Sequence, residues 1–297
     1  MTKKICIIHL APADVEAEIS APYIRLYNQT LNRVKGPDVE IIHKTCKPGT
    51  WKAAHTVVDY FVHGLMMGPM CKAALEAEKE GVDAITVACA DDPGIRLIRT
   101  LVDIPVIGEF ESTIHLAAML GHKFGVLVWP TRPYMARNEN LIRLYGLEAK
   151  AIPNPMEPCM EPSPTAEREI VLKGYSNPKG FVQQHYVKAA QNLVKRGAEV
   201  IVMGSTGMSL IADNGGFSKL EDTGIPTKPK KVSVPVLNVV SVAIKMAEMI
   251  IELQRATGIP SISRVGLYQK TQDTVKKEDF DLIRKYFEKD WEMLPLP

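Results

Sequence analysis

One cysteine in this chain stands where a side chain could exchange protons with a bound molecule. Cys89 ends the apolar run DAITVAC and is followed by Ala90, Asp91, Asp92 and a proline. Asp92 directly before proline predicts a helix N-cap, and the unpaired N–H groups of that helix would favour a thiolate at Cys89. A small buried hydrophobic residue at a strand end explains Cys89 equally well. For Asp91, a polar turn is favoured over an acid/base role.

A second corner, VMGSTGM, resembles the first and places Ser205, Thr206 and Gly207 after another apolar run. The segments GVDAITVACADDPGI and DIPVIGEFESTIHLA are similar, in order, to GAEVIVMGSTGMSLI and SVPVLNVVSVAIKMA. In both halves a strand ends in a polar corner, a helix follows, and a Pro-Val strand leads into another helix. Two such halves facing one another would place Cys89 and Ser205 across a shared cleft, at the carboxyl ends of their strands.

Short β-branched runs alternate with longer helical patterns, which predicts βαβ units and buried parallel sheets. The predicted strands are KICIIHL, VEIIHK, DAITVAC, PVIGEF, KFGVLVW, EVIVMG and VPVLNVV. The predicted helices lie around 51–80, 93–101, 111–120, 133–145, 178–196 and 239–256. We expect an α/β protein of two similar lobes, each with a mainly parallel sheet flanked by helices, and an active site in the cleft between them. The first lobe is expected to take residues 1–117 and 234–297, and the second lobe 118–233.

The composition is typical of a globular protein, with 297 residues of which 46% are apolar and 24% are charged. A net charge of +2, without a basic face interleaved with aromatic residues, argues against nucleic-acid binding. No apolar run reaches the about 18 residues of a membrane-spanning helix, so no membrane partner is expected. The five cysteines are odd in number and widely spaced, which favours reduced thiols and a cytoplasmic location.

The chain resembles the aspartate/glutamate/hydantoin racemase superfamily, closest to its hydantoin and allantoin racemase branch, in ACADDPGI, PVIGEFESTIHLA, GHKFGVLVW, VMGSTGM and VPVLNVVSVAIKMAE. The similarity is spread over most of residues 80–250. The resemblance implies a cofactor-free enzyme of two α/β lobes, with one cysteine from each lobe beside a carbon acid. One thiolate would remove the proton next to a carbonyl, and the other thiol would protonate the opposite face. The resemblance also implies a homo-oligomer.

The second corner departs from the family pattern Gly-Cys-x-Gly-Met, because this chain has Ser205 where the family has cysteine. A hydroxyl is far less acidic than a thiol and is therefore a poorer general acid or base near neutral pH. Three readings are open. Cys89 runs a one-base reaction with Ser205 as a hydrogen-bond donor, Ser205 protonates through a neighbour or water, or Ser205 is a laboratory substitution of an original cysteine.

Further candidates for substrate contact flank the two corners or end other strands: Ala90, Asp91, Thr206, Gly207, His9, Thr131 and Glu111. His9 could polarise a carbonyl, although a strand-end histidine satisfied by backbone is favoured. Thr131 is the best polar candidate after the fifth predicted strand, where the bulky Trp129 would narrow or reshape the pocket. Glu111 matches an acidic residue of the family, although a first-turn carboxylate stabilised by the helix dipole is favoured.

Other motifs give weaker predictions. No metal site is expected at His43, Cys46, His55 or His63, because the spacing of these four side chains fits no zinc-ligand pattern. The GSTG string lacks the Gly-x-Ser-x-Gly frame of a serine hydrolase. Residues 213–233 predict a lid or interface loop, and residues 276–294 predict an amphipathic helix.

The sequence therefore predicts a cofactor-independent racemase or isomerase that acts on a small carbon acid, hydantoin-like or carboxylate, by cysteine-based proton transfer. A second hypothesis is a one-cysteine decarboxylase or cis-trans isomerase of the same superfamily. A third is a non-catalytic member that binds a small ligand. In every case the partner is a small molecule.

Overall fold

In a computed structural model the chain forms two mainly parallel sheets, each flanked by helices. The structure describes residues 2–10, 17–46, 60–161, 167–225, 232–279, 281 and 285. The strands are β1 Lys3–His9, β2 Val39–Thr45, β3 Ala84–Val87, β4 Val106–Gly108, β5 Phe124–Val128, β6 Ala151–Pro158, β7 Val200–Met203, β8 Lys219–Leu220 and β9 Val234–Leu237. The helices are α1 Ala17–Val34, α2 Tyr60–Lys79, α3 Ile95–Ile98, α4 Glu109–Leu120, α5 Arg132–Leu144, α6 Glu167–Ser176, α7 Pro178–Phe181, α8 Val187–Lys195, α9 Thr206–Asn214, α10 Val239–Thr257 and α11 Thr271–Thr274.

The two sheets repeat one topology. The first has the order β2-β1-β3-β4 with every neighbouring pair parallel. The second has the order β6-β5-β7-β9-β8, in which β8 alone runs antiparallel to its neighbour. Parallel neighbours require helical crossovers, which the intervening helices provide. The predicted α/β fold of two similar lobes is confirmed.

Strand β9 corrects the expected boundary before residue 234. β9 pairs with β7 in the second sheet, with Ile201 opposite Val236. The predicted boundary places this strand in the first lobe. The chain returns to the first lobe one element later, because helix α10 packs against α1, α4 and strands of the first sheet.

The two lobes share one hydrophobic core. Its buried side chains include Ile7 of β1, Phe110 of α4, Val126 of β5 and Ile244 of α10. Burying each side chain of this size contributes about 1.5–3 kcal/mol to the stability of the fold. Because α4 and α10 follow matching strands and pack together, their contact fixes the two sheets relative to each other.

The elements absent from the sequence prediction include helix α1, strand β6 and helix α6. Helix α1 contains Pro22, a residue that normally argues against a helix interior. Strand β6 reads AIPNPMEP, and its prolines are tolerated because β6 lies at a sheet edge. Helix α6 follows a segment that lies outside the described residues.

One predicted helix is shorter in the structure, and other predicted elements fall partly outside the described residues. The helix expected over 93–101 is a single turn, and the helix expected over 51–80 is described from Tyr60 onward. Most of the predicted tail helix over 276–294, and 226–231 within the predicted lid, lie outside the described residues. None of the helices described here is both long and apolar enough to cross a membrane.

Candidate active site

Cys89 and Ser205 occupy equivalent places in the two sheets. The N–H of Ala88 donates to the carbonyl of Ile8 at 2.9 Å, and the N–H of Gly204 donates to the carbonyl of Leu127 at 2.8 Å. Each bond is the last that its strand makes to the neighbouring parallel strand. Cys89 and Ser205 are therefore the first residues beyond matching ladders, at the strand ends where open parallel sheets bind ligands.

The second corner begins a helix. Ser205 is the N-cap of α9, but its side chain makes no capping bond. Its oxygen accepts a hydrogen bond from the indole of Trp129 at 3.0 Å. The first N–H groups of α9 lack acceptors within the helix, so this corner favours negative charge.

The first corner is built differently from the prediction. Helix α3 starts at Ile95, and Gly94, with φ of 70°, is its N-cap. Asp92 instead accepts hydrogen bonds from the N–H groups of Phe110 at 3.0 Å and Glu111 at 2.7 Å. Asp92 therefore caps α4, which follows the neighbouring strand, and the predicted cap of a helix beside Cys89 is wrong.

This arrangement leaves the thiol of Cys89 without the predicted acidifying helix. Burial raises the pKa of Cys89 well above its usual range, and the charge of Asp91 raises it further. Glu109 and Asp92 add smaller effects in the same direction. The expectation of a lowered thiol pKa is therefore wrong for the protein without substrate, because carboxyl groups surround Cys89.

Glu109 is a carboxyl group that connects the two lobes at the site. It is the first residue of α4 and is buried. Thr206 of the second corner donates to one carboxyl oxygen of Glu109 at 2.6 Å, and Tyr27 of α1 donates to the other at 3.3 Å. Since the same carboxyl raises the pKa of Cys89, Glu109 lies between the two corners.

The acids around the corners are held toward their neutral forms. Burial raises the pKa of Glu109 to about 8 and that of Asp92 to about 7. Burial also raises the pKa of Asp91 to about 6, although its ion pair with Arg137 at 3.0 Å opposes this. A neutral Glu109 places no full charge beside the thiol near neutral pH.

We expect Glu109→Gln to make stability less dependent on pH. The folded protein keeps the Glu109 proton up to pH about 8, whereas the unfolded chain releases it near 4.5. Folding takes up a proton in this interval, so the free energy of unfolding falls as pH rises through it. Glutamine keeps an acceptor for Thr206 and should remove about 4 kcal/mol of that decline between pH 5 and 9.

Thermal and urea unfolding of both proteins at several pH values would measure this difference. The surface variant Glu139→Gln is the matched control, because the Glu139 side chain is 38% exposed. Parallel stability curves for the native chain and Glu109→Gln would contradict a proton held by Glu109. Asp91 and Asp92 should leave some pH dependence in the variant.

Tyrosines line the space beside the two corners. Tyr23 lies close enough to Cys89, Glu109 and Tyr134 for their charges to raise its pKa, after a larger effect from burial. Its ring packs against Tyr27 and Tyr175, with centroids 5.7 and 6.0 Å away. The side chains described beside the two corners are therefore aromatic rings that carry hydroxyl groups.

Helix α5 brings a linked set of side chains to the site. Arg137 pairs with Asp91 and lies over the ring of Tyr134 at 5.2 Å. Burial raises the pKa of Tyr134 well above its usual range, and the charges of Asp91 and Cys89 raise it further. Thr131 is the partly buried N-cap of α5, so the structure places it at the start of this helix.

Gly207 and Ala90 have packing explanations. A Cβ at position 207 would come within 2.6 Å of the Tyr175 hydroxyl oxygen, so glycine lets that ring approach the corner. Ala90 is fully buried within the shared core. Their predicted contacts to substrate stay predictions.

His9 and Glu111 are satisfied by side chains. His9 shares a 2.9 Å hydrogen bond with His43, so the favoured backbone partner is replaced by a second imidazole. Burial lowers the pKa of His9 to about 3, which keeps it neutral. Glu111 forms an ion pair with Arg99, and the carboxyl that contacts the second corner is Glu109.

Sequence reasoning missed Glu109 and Tyr134. Glu109 directly follows β4, so the strand-end rule that selected Cys89 could also have selected it. Tyr134 stands in the first turn after β5 and could have been found in the same way. Within the described residues, no group of three or more His, Cys, Asp or Glu side chains could hold a metal ion.

Comparisons with known proteins agree with this geometry. A model of the Asp/Glu/hydantoin racemase family matches residues 20–247. Hydantoin racemase of Pseudomonas sp. (strain NS671) is 29% identical over 203 residues, which cover 68% of this chain and 72% of that protein. Hydantoin racemase of Rhizobium meliloti is 31% identical over 198 residues, which cover 65% of this chain and 68% of that protein. Allantoin racemase from Klebsiella pneumoniae shares the fold, with a TM-score of 0.66, 20% identity, and coverage of 91% of this chain and 94% of its own.

Proposed function

This chain belongs to the Asp/Glu/hydantoin racemase family, and from that membership we propose that it moves a proton at the carbon next to a carbonyl of a small carbon acid. Cys89 is the group that removes or returns the proton on one face. Ser205, where the family pattern has a second cysteine, faces the opposite side of the substrate. The reaction uses the side chains of the chain itself as acids and bases.

The observation that carries this proposal is the equivalence of the two corners. Cys89 and Ser205 follow matching last bonds of matching strands, and Glu109 bonds the second corner and raises the pKa of the thiol at the first. A carbon held between these corners would present opposite faces to the thiol and the hydroxyl. That is the geometry a change of configuration requires.

The electrostatics of the site support an enolate intermediate. Removing an α-proton puts negative charge on the neighbouring carbonyl oxygen, and the first N–H groups of α9 and the hydroxyl of Ser205 can stabilise it. The thiolate of Cys89 must form against a raised pKa. A neutral Glu109 removes one negative charge from beside Cys89. Forming the thiolate therefore costs less free energy than it would next to three ionised carboxyl groups.

A neutral, ring-shaped substrate of the hydantoin class fits these surroundings best. Asp91, Asp92 and Glu109 would repel the two carboxylates of an acidic amino acid whenever they ionise. Arg137, the cation on α5 beside the site, is already paired with Asp91. A flat cyclic diamide instead matches the walls of Tyr23 and Tyr175, and the hydroxyl groups can bond its carbonyls.

The proposal is tested by incubating the native chain in deuterium oxide with 5-substituted hydantoins, allantoin and aspartate, one enantiomer at a time. Proton NMR follows loss of the α-proton, and optical rotation follows inversion. We expect exchange of a 5-substituted hydantoin well above the rate without protein, rising with pH as the Cys89 thiolate forms. Absence of exchange in all three substrates would overturn the proposal.

A single thiol also supports a second candidate, an arylmalonate-type decarboxylase. Loss of carbon dioxide creates the carbanion without a base, so one proton donor suffices and Ser205 need not donate. Adding an arylmalonate to the same experiment separates the two. Carbon dioxide release without hydantoin exchange would favour the decarboxylase.

A further inference from the structure

We propose that Trp129 keeps Ser205 from capping helix α9, so that the second corner offers both the Ser205 hydroxyl and the first N–H groups of α9 to a bound enolate. This inference rests on the proposed function and names Trp129 as a positioning residue of the same site. Trp129 acts through Ser205 and need not touch the substrate. The observation that carries the inference is an N-cap serine whose oxygen bonds an indole instead of its own helix.

Ser205 stands where a serine normally caps a helix. It is the N-cap of α9, and its extended backbone, with φ of −148° and ψ of 141°, is the usual one for this position. A capping serine accepts a hydrogen bond from the N–H of the second or third helical residue, here Gly207 or Met208. Ser205 makes no such bond, although a cap contributes about 1 kcal/mol to stability. These N–H groups are therefore left to a ligand.

Trp129 holds the serine oxygen away from the helix. Its indole nitrogen donates to that oxygen at 3.0 Å, and Trp129 directly follows β5, the strand that pairs with β7. The ring packs edge-on against Phe181, with centroids 6.4 Å apart, which fixes its orientation. Because an indole N–H only donates, the Ser205 proton cannot point back at the ring and is turned toward another acceptor. A hydroxyl that accepts a hydrogen bond is also a stronger donor.

The first lobe has a leucine in place of this indole. Ile8 and Leu127 accept the matching strand-end bonds of the two sheets. Two residues further along each strand stand Leu10 and Trp129. A leucine side chain has no hydrogen-bond donor, and the corner of this lobe carries the thiol of Cys89. The indole donor thus occurs in the lobe that carries the hydroxyl, as expected if it serves that hydroxyl.

Both groups freed by Trp129 favour the charge that the proposed reaction creates. Donors aimed at a developing oxyanion are a large catalytic effect, and the loss of one costs about 10²-fold or more in rate. If Ser205 turned to cap α9, its oxygen would occupy one of the helix N–H groups and its own proton would leave the substrate. Removing the indole donor therefore weakens two contacts to the enolate at once.

The test replaces Trp129 with phenylalanine, which keeps an aromatic ring and removes the N–H. We expect α-proton exchange of a 5-substituted hydantoin to fall by roughly 10²-fold in a variant that thermal unfolding shows to be folded. Ser205→Ala supplies the matched background, because alanine can neither cap α9 nor accept from the indole. In that background Trp129→Phe should change the exchange rate by less than about 3-fold.

Amide NMR spectra follow the same bond without substrate. The chain has three tryptophans, so Trp129→Phe identifies the Trp129 indole signal by its loss. This signal should shift in Ser205→Ala. The amide signals of Gly207 and Met208 should shift in Trp129→Phe, as Ser205 turns to cap the helix. Ser261→Ala, a change near the end of α10, should move none of these signals.

Three results would overturn the inference and leave the proposed function standing. They are exchange by Trp129→Phe within about 3-fold of the native rate, an equal fall in both backgrounds, and unmoved signals of Gly207 and Met208. The second result would assign the effect to ring packing. Absence of any exchange by the native chain refutes the proposed function itself, and the amide signals then decide separately whether Trp129 keeps Ser205 from the cap.

Discussion

Replacing Cys89 with alanine is expected to lower the rate of α-proton exchange by roughly 10³-fold. Cys89 is the partly buried thiol at the first corner, beside Tyr134 and Glu109. Burial holds Glu109 and Asp92 toward their neutral forms, and the Asp91 carboxyl is paired with Arg137, so none of these acids replaces the thiol as the base. Cys89→Ser should be nearly as inactive, because a hydroxyl ionises far less readily than a thiol.

Cys71→Ala is the matched control for this prediction. Cys71 is also a partly buried thiol, but it lies within helix α2. There it packs against a second, smaller cluster of buried side chains in the first lobe. Its variant should exchange at the native rate. Thermal unfolding of the native chain, Cys89→Ala and Cys71→Ala separates a loss of catalysis from a loss of folding. Exchange by Cys89→Ala within about tenfold of the native rate would assign the base to another side chain.

The fold could largely be predicted from the sequence because the strands are short apolar runs between helical patterns. Runs such as that of β3 and β7 are buried on both faces, as parallel strands between helices must be. Helix α1 escaped prediction because Pro22 outweighed its spacing of apolar residues. The position of β9 escaped because strand order depends on pairing that no local pattern encodes.

The two corners of the site could be predicted because the sequence repeats. Their supporting side chains could not, since Glu109 meets Thr206 from 97 positions away. The pKa of Cys89 was predicted in the wrong direction for a related reason. Asp92 beside a proline is a good N-cap, but which helix it caps was decided by the approach of α4.

The ionisable groups of this site lie close together. The thiol, three carboxyl groups and several phenols share one buried region, so their protonation states cannot be independent. The resemblance to the family predicts a second thiol at position 205, which would add another ionisable group to this region. Serine removes that group and leaves a hydroxyl that ionises far less readily than a thiol.

Replacing Ser205 with cysteine is expected to raise the rate of inversion by about 10²-fold. A thiol, with a usual pKa of about 8.5, can both accept and donate a proton near neutral pH, whereas a serine hydroxyl cannot. The first turn of α9 should also stabilise a thiolate at this corner. Exchange on the Cys89 face should change little, so the ratio of inversion to exchange is the quantity to measure.

Ser261→Cys controls for an added thiol, because Ser261 is partly buried and bonds Gln254 near the end of α10, where Arg255 reaches Thr2 before the start of β1. It should leave inversion unchanged. If Ser205→Cys inverts no faster than the native chain while Cys89-dependent exchange persists, then Ser205 does not face the substrate carbon. The second corner would then serve only to stabilise negative charge. A faster inversion would instead mean that a single residue separates this site from a two-thiol racemase.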